Sequence, residues 1–560
     1  MVTYTAMDSA KVLFTFLLIT NALFCCYAED HNVNVSTPID FKVAGLNKVL
    51  CMKNGNTLLF HFEPNKALLV KVFDSSHKEI YSKKHSEIRL NTNYLNYAVY
   101  KALYEIDGEA VLFLEQSQSS KKQLIRVRID GHNGSIIEES IIVTSVKISE
   151  QASFYVIKNK SDDGYAILCS RAKENLDKCN VNLLCFSNKH EQLQTVAIPL
   201  NSETYDHMAI LGAEAQQNGI GVTICLYKLT KSILRHSQPH NTIEKIYDHV
   251  MLFAYIPAHT ATVQENITDV SANIFPAYAL YTYNRFAEQL NVLVLSYKKY
   301  INNDGTDIFR KALKSDLFSV IDASTMSAKI HWVYNDSATA HYRAQTGQQK
   351  TYEGIPIKMF TDEKGLTTII SQDYEDYDGI AAHPQRKLTE HYFGNIAITQ
   401  CNDAGEEIWG TVLPVNQCLT GRSGPYFGPE YLNRRWKGQS MVINGPSLFY
   451  NRQFCSVNVY QFHQNYYVIY NDYDSNFNNT VANQGKEVYS FETTNACYYK
   501  LDQNRIATKH YLLGPPKEHE YANTFLEGAD FDEHTGVYAS LLQRSGNSKT
   551  AYCMSWCQLK

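Results

Sequence analysis

The chain has 560 residues, 44% of them hydrophobic and 19% charged, and a formal net charge of -5. That length holds one large β domain or two to three ordinary ones, with ample apolar material for a core. With no basic stripe or polybasic tail, the near-neutral balance argues against nucleic acid or an anionic membrane as the main partner.

The first patterned stretch is Lys11, an apolar run beginning at Val12, and Cys25-Cys26-Tyr27-Ala28 at its end. A positive residue, a short apolar core and a small final residue are the layout of a secretory signal peptide. The run, at roughly 14 residues, is shorter than the ~20 that a spanning helix needs. Residues 1–28 are therefore read as a signal peptide, with lipidation at Cys25 or Cys26, or an uncleaved anchor, as the alternatives. Nothing later reads as a transmembrane helix, so residues 29–560 are expected to be exported, to the periplasm, the cell surface or the medium.

Short β-like runs follow. Thr57 to Phe62 precedes Ala67 to Phe73, and Ala110 to Leu114 precedes Gln123 to Ile129, each pair reading as strand, turn, strand. The best helical periodicity, at residues 307–313, is short and reads equally well as a loop. What comes after the second strand recurs: an apolar strand end, an Asp or Asn (once Ser-Asn), a polar turn and a new apolar strand. The copies begin at Asp74, Asp130, Ser187-Asn188, Asp322, Asn402-Asp403, Asp502 and Asp532. Asp and Asn bond their own backbone and tolerate turn conformations, so these are hairpin signals. Their repetition predicts stacked or radial sheets, each covering the apolar face of the next. The expected fold is all-β: a β-propeller of six to eight degenerate blades over residues 29–560, with long inserted loops, the main one near 418–453. A string of unrelated β-sandwiches is the competing architecture.

The 39 Tyr fit half-buried sheet positions, or platforms for sugars. Of the 13 Cys, most are expected to be small buried hydrophobes. Cys553/Cys557 and Cys179/Cys185 are near enough in sequence to suggest disulfides. The Asn-x-Ser/Thr sequences at Asn34, Asn133, Asn159, Asn266, Asn335 and Asn478 matter only in a eukaryotic source.

The segment from Asn402 to Trp409, Asn-Asp-Ala-Gly-Glu-Glu-Ile-Trp, resembles a blade of the pyrroloquinoline-quinone-type propeller repeat. In that repeat Asp, Gly and Trp lock adjacent blades, so the resemblance implies geometry and not the quinone. Together with Tyr466 to Asp472 and Ala496 to Leu501, it is similar to uncharacterised exported β-propeller-like proteins of Bacteroidetes-type bacteria, which implies export and fold but no reaction. The sialidase Asp-box departs in detail. Three residues separate Gly405 from Trp409 where that pattern has two, so no catalytic residue carries over.

No GxSxG, HExxH, GxxxxGK[ST] or helix-opening GxGxxG occurs. Three stretches remain as site candidates. Asp373-Tyr374-Glu375-Asp376 concentrates carboxylates that could serve as acid and base or nucleophile on a sugar, or form a solvated acidic loop. Asp472, Asp474 and Asn476 place hard oxygen donors at alternate positions, as a calcium loop does. Phe477 and Asn483 stand where an EF-hand needs Gly and Glu, which leaves a calcium site of another type or a plain polar loop; no other cofactor is expected. The insertion supplies Arg422, Arg434 and Arg435 as forks for carboxylates and Tyr426, Tyr431 and Trp436 as stacking faces, and is read as a ligand site or as a lid plugging one face. The expected function is an extracytoplasmic binding or scaffold module for a glycan or a protein, of open oligomeric state. The alternative is a carbohydrate-active hydrolase or lyase on the same scaffold.

Overall fold

In the strand Glu109–Gln118, Ala110, Leu112 and Leu114 pack into one core cluster, while Val111 and Phe113 between them pack into another. The strand Tyr165–Ala172 divides in the same way, with Tyr165 and Ile167 facing one neighbour and Ala166 and Leu168 the other. A strand covered on both faces has no polar side, so these segments read as unbroken apolar runs. Sheets that bury both faces against equivalents must stack, and stacking around an axis closes the series.

The computed structural model describes residues 33–40, 46–63, 67–85, 98–118, 121–144, 151–159, 164–172, 180–200, 203–205, 207–216, 218–237, 240–258, 260–269, 274–284, 287–298, 300–301, 307–308, 313–322, 325–331, 335–378, 389–402, 404–421, 441–442, 452–517, 520–546 and 549–560. They form an eight-bladed β-propeller. Blade 1 is Leu46–Cys51, Thr57–Glu63, Ala67–Phe73 and Glu79–His85, running outward from the axis as an antiparallel meander. Blade 2 spans Val99–Ile106 to Ile136–Thr144, blade 3 Gln151–Lys158 to Gln192–Ile198, and blade 4 His207–Gln216 to Gln264–Asp269. Blade 5 runs from Ile274–Asn284 to Ala328–His331, blade 6 from Ile355–Thr361 to Glu407–Leu413, and blade 7 from Asn458–Phe462 to Ala507–Tyr511. Blade 8 has Tyr521–Thr524 and Asp530–Asp532 innermost, then Val537–Gly546 and Lys549–Gln558. Its outer strand is Val33–Val35, from the other end of the chain, paired Val33↔Cys557 to Val35↔Ser555. The ring is thus clasped by backbone hydrogen bonds between its first and last strands.

Six apolar clusters lie between successive blades, and a seventh joins blade 5 to 6 and blade 8 to 1. The tyrosines Tyr165, Tyr467, Tyr470 and Tyr538 are fully buried in these interfaces, as sheet residues. Others gather at the axis. The phenol of Tyr104 in blade 2 is raised by burial and by the Glu214 carboxylate of blade 4, and burial raises the Asp530 carboxyl of blade 8 against a small opposing pull from Lys158 of blade 3.

An antiparallel meander puts its first-to-second and third-to-fourth connections at one end, and its second-to-third connection and the step to the next blade at the other. The first end is a face of tight turns. Third-to-fourth turns begin at Asp74, Asp130, Ser187, Asp322, Asn402 and Asp502, whose side-chain oxygens accept backbone N–H groups just downstream at 2.7–3.2 Å. Six of the seven recurrent turns in the sequence are therefore the same turn in blades 1, 2, 3, 5, 6 and 7. The seventh, Asp532, opens the first-to-second turn of blade 8, where Gly536 at φ 74 supplies the left-handed residue.

The opposite face carries the long connections. Hairpins of blades 4 and 6 extend there, to Ser237↔His240 and Asp378↔Thr389. So do residues 473–494 and a helix, α1 (Asp336–Thr346). Met441 and Val442 pair with Tyr100 and Val99 on the inner strand of blade 2.

Two sequence expectations are corrected. Residues 307–308 pair as a short strand, and the described helix is instead α1, which has few apolar residues but ends at Gly347 with φ 67. Cys553 and Cys557 lie on one strand, about 13 Å apart at four residues' rise, beyond the ~7 Å reach of a disulfide. All ten described cysteines are free, eight of them buried, so they act as small apolar residues; Cys179 lies outside the described residues. Among the described residues no helix is long and apolar enough to cross a membrane.

Candidate functional site

Two of the stretches picked from sequence, the acidic one and residues 472–476, lie on the long-connection face of blades 6 and 7. The central strands of blade 6 outrun the blade, carrying Asp373, Glu375 and Asp376 above it, and the fifth strand Gln417–Gly421 pairs with this extension before the insertion departs. The acidic stretch is thus strand, not loop. Residues 473–494 of blade 7 lie alongside, bridged to it by Cys418 N–H donating to Val488 O and Val488 N–H to Asn416 O, both at 3.0 Å. Arg422, Tyr426, Tyr431, Arg434, Arg435 and Trp436 lie outside the described residues.

Helix α1, unmarked in the sequence reading, fastens this platform. Its N-cap Asn335 makes no capping side-chain bond; instead Glu407 Oε2 on the outer strand of blade 6 accepts the Ser337 N–H at 3.0 Å. A carboxylate suits the positive end of a helix. On the next turn His341 Nδ1 accepts the Val412 N–H at 2.9 Å, so α1 shields an edge strand that would otherwise offer a bare donor. The far side reaches blade 7: Asn483 Nδ2 donates to Tyr342 Oη at 2.7 Å and Ala482 N–H to Gln345 Oε1 at 3.1 Å. The sequence marks α1 only by an Asn before it, Asp336 in its first turn, Arg343 in its last and a Gly after it, with no apolar periodicity.

His341 accepts a proton-bearing donor only while neutral, and burial lowers its pKa from 6.5. A depressed folded pKa gives stability that is present above the unfolded value and lost as pH falls through the folded one. Between pH 7 and pH 5 the native chain should therefore lose more stability than the His341→Gln variant. Urea melts of the two at both pH values check this; equal losses would mean that His341 titrates freely.

Asp373 is partly buried at the bulge between Gln372 and Tyr374. Burial pushes its carboxyl up to about 6, against the pull of Lys350 and with a push from Glu375. Lys350 Nζ meets Glu375 Oε1 at 3.0 Å, an exposed pair worth little in stability. Asp373 is thus the carboxyl of raised pKa in this stretch, and Glu375 the ion-pair partner of Lys350.

The metal reading meets a different arrangement. Asp472 Oδ1 accepts the Tyr473 N–H at 2.9 Å and Asn476 Nδ2 at 2.7 Å, and its Oδ2 faces Lys509 Nζ at 3.0 Å. Asp474 turns away and accepts Asn495 Nδ2 at 2.7 Å. Lys509 also donates to Asn476 O at 2.9 Å and lies over the rings of Tyr470, Tyr499 and Phe477. The cation that faces Asp472 in this structure is thus the Lys509 ammonium. Among the described residues no group of three or more His, Cys, Asp or Glu could hold a metal ion.

Above this pair, asparagines from both blades line a narrow cleft: Asn395 and Asn416 from blade 6, and Asn476, Asn479 and Asn483 from blade 7.

No known protein-family model matches the chain, and no curated protein sequence is similar to it. Among solved structures it is similar to the WD40 domain of SCAP from fission yeast, at 7% identity over 95% of this chain and 98% of that one, with a TM-score of 0.35. The polysaccharide lyase Uly1 matches at 8% identity over 93% and 90%, with a TM-score of 0.36. Prolyl oligopeptidase B from Galerina marginata matches at 7% identity over 91% of this chain and 55% of its own, with a TM-score of 0.38. The blade assignment above rests on the strand pairing.

Proposed function

We propose that the chain is an extracytoplasmic binding module that takes a glycan on the long-connection face of blades 6 and 7. The observation that carries this reading is the division of labour between the two faces. One is a set of minimal turns. The other concentrates the extended hairpins, α1, residues 473–494 and an asparagine-lined cleft, and loops held on a rigid ring are where recognition usually resides. Export is supported by the charged and apolar pattern of residues 11–28.

A second reading is favoured by one observation, the raised carboxyl of Asp373 two residues from Glu375. A carboxyl that burial lifts to about 6 beside a second carboxylate is a candidate acid for sugar hydrolysis. Glycan arrays run with polysaccharide-hydrolysis assays on residues 29–560 separate the two. The module should bind without releasing reducing sugar. Release with a pH profile breaking near 6, abolished in Asp373→Asn, would replace it with the enzyme; silence in both assays would remove both.

A further inference from the structure

The recurrent turn does more than reverse the chain. In blades 1, 2, 3 and 6 it hands over to an outer strand whose second residue falls in a bulge and has no partner across the ladder. Each of these residues is a branched aliphatic standing in solvent: Ile80, Ile137, Leu193 and Ile408 are 51%, 49%, 60% and 43% exposed. A bulge re-aims a side chain and also interrupts the edge as a template for strand pairing. The rim of the ring therefore offers apolar knobs in place of a continuous ladder.

The knobs are not evenly shared. Nine large apolar side chains are exposed among the described residues, and four of them, Ile80 and Tyr81 of blade 1 with Ile137 and Ile141 of blade 2, lie on two neighbouring outer strands. Single exposed apolar residues are ordinary, whereas a gathering of them marks an interface. The charges on the same two strands are opposite: Lys83 and Lys84 on blade 1, Glu138 and Glu139 on blade 2. Part of the rim charge is used within the ring, where Glu79 meets Lys71 at 2.8 Å, Glu138 meets Arg128 at 2.6 Å and Lys83 donates to Ser135 Oγ at 3.2 Å. Lys84 and Glu139 belong to none of these pairs, and they give each rim its sign.

We propose that the rims of blades 1 and 2 are the contact surface for a second copy of this chain, related by a two-fold axis parallel to the ring axis and passing between the two blades. Such an axis keeps height along the ring and exchanges the blades. Ile80 of each copy then comes opposite Ile137 of the other, because both hold the same place after the same turn. Lys83 and Lys84 arrive within about two residues' rise, roughly 7 Å, of the other copy's Glu138 and Glu139. The surface is isologous, so every apolar and charged contact is made twice. A two-fold through blade 2 alone would instead set Glu138 and Glu139 against themselves. Side-chain knobs bury less area than an obligate interface, which places the dimer in the micromolar range. The proposal is independent of the glycan reading.

Sedimentation equilibrium of residues 29–560 tests it, with Ile137→Asp, Lys84→Glu and Glu139→Lys as variants. The native chain should show a monomer–dimer equilibrium that salt weakens. Each variant should associate roughly tenfold or more weakly. An equimolar mixture of Lys84→Glu and Glu139→Lys should recover the native affinity, because both contacts of the mixed dimer again join opposite charges. Misfolding of either variant could not be repaired in that way. A native chain that stays monomeric throughout the micromolar range would overturn the proposal, and so would a dimer that all three variants leave intact. Failure of the mixture to recover, with both variants melting as the native chain does, would remove the two-fold arrangement.

Discussion

Trp556→Ala should destabilise the protein by about 3–5 kcal/mol, the range for truncating a buried aromatic. Trp556 is 1% exposed on the third strand of blade 8, yet its partners belong to blade 1. Its Nε1 donates to Thr57 Oγ1 at 2.9 Å, Phe73 meets it edge-on at 5.3 Å, and His77 stacks on it at 4.4 Å. Removing the indole opens a cavity at the seam where the ring closes and leaves the Thr57 hydroxyl without its donor. Trp409, the residue that sequence marked as a blade lock, is only partly buried against the blade 6–7 cluster, with the Arg505 guanidinium over its ring at 5.4 Å. Trp409→Ala should cost less, about 1–2 kcal/mol. Urea unfolding ranks the two; a larger loss at Trp409 would place the critical seam between blades 6 and 7.

Lys509→Met should cost a similar amount, about 3–5 kcal/mol, because it leaves the Asp472 carboxylate buried without its counter-ion. The side chains of Lys509 and Asp472 are 9% and 5% exposed. Burial already raises the Asp472 carboxyl, with Lys509 as the foremost opposing influence. Without Lys509 it rises further above the unfolded value, near 3.9. A carboxyl raised in the folded state binds protons more tightly there, so the variant should regain stability as pH falls and lose it as pH rises through the folded pKa. The native chain should show much less of this recovery. Lys509→Met combined with Asp472→Asn should restore most of the loss at pH 7. Unfolding at pH 7 and pH 5 measures both effects; a variant indifferent to pH would mean that Asp472 finds another donor or reaches solvent.

How much of this was legible beforehand depended on range. Asp74, Asp130 and Asp502 announced their turns because each bonds backbone within four residues of itself. The apolar run at 110–114 announced its strand for a similarly local reason. Asp472 and Asn476 looked like metal ligands because their spacing is local, while Lys509, which occupies the position opposite, arrives from the fourth strand of the blade. Trp409 sat in a recognisable local pattern and Trp556 in none, yet burial is decided by neighbours contributed from blade 1. Asn395 and Asn416 carried no signal at all; the cleft they line takes its other wall from blade 7.

By itself the sequence determined that the chain is built of strands and where most of its hairpins turn, since each follows from interactions a few residues apart. The tertiary structure alone decided the number of blades, which Trp closes the ring, that Val33–Val35 completes the last blade, and that the acidic stretch of blade 6 and residues 473–494 of blade 7 share one face. Those outcomes depend on contacts between residues hundreds of positions apart. Such pairings are selected by packing around a common axis, for which a local pattern holds no code.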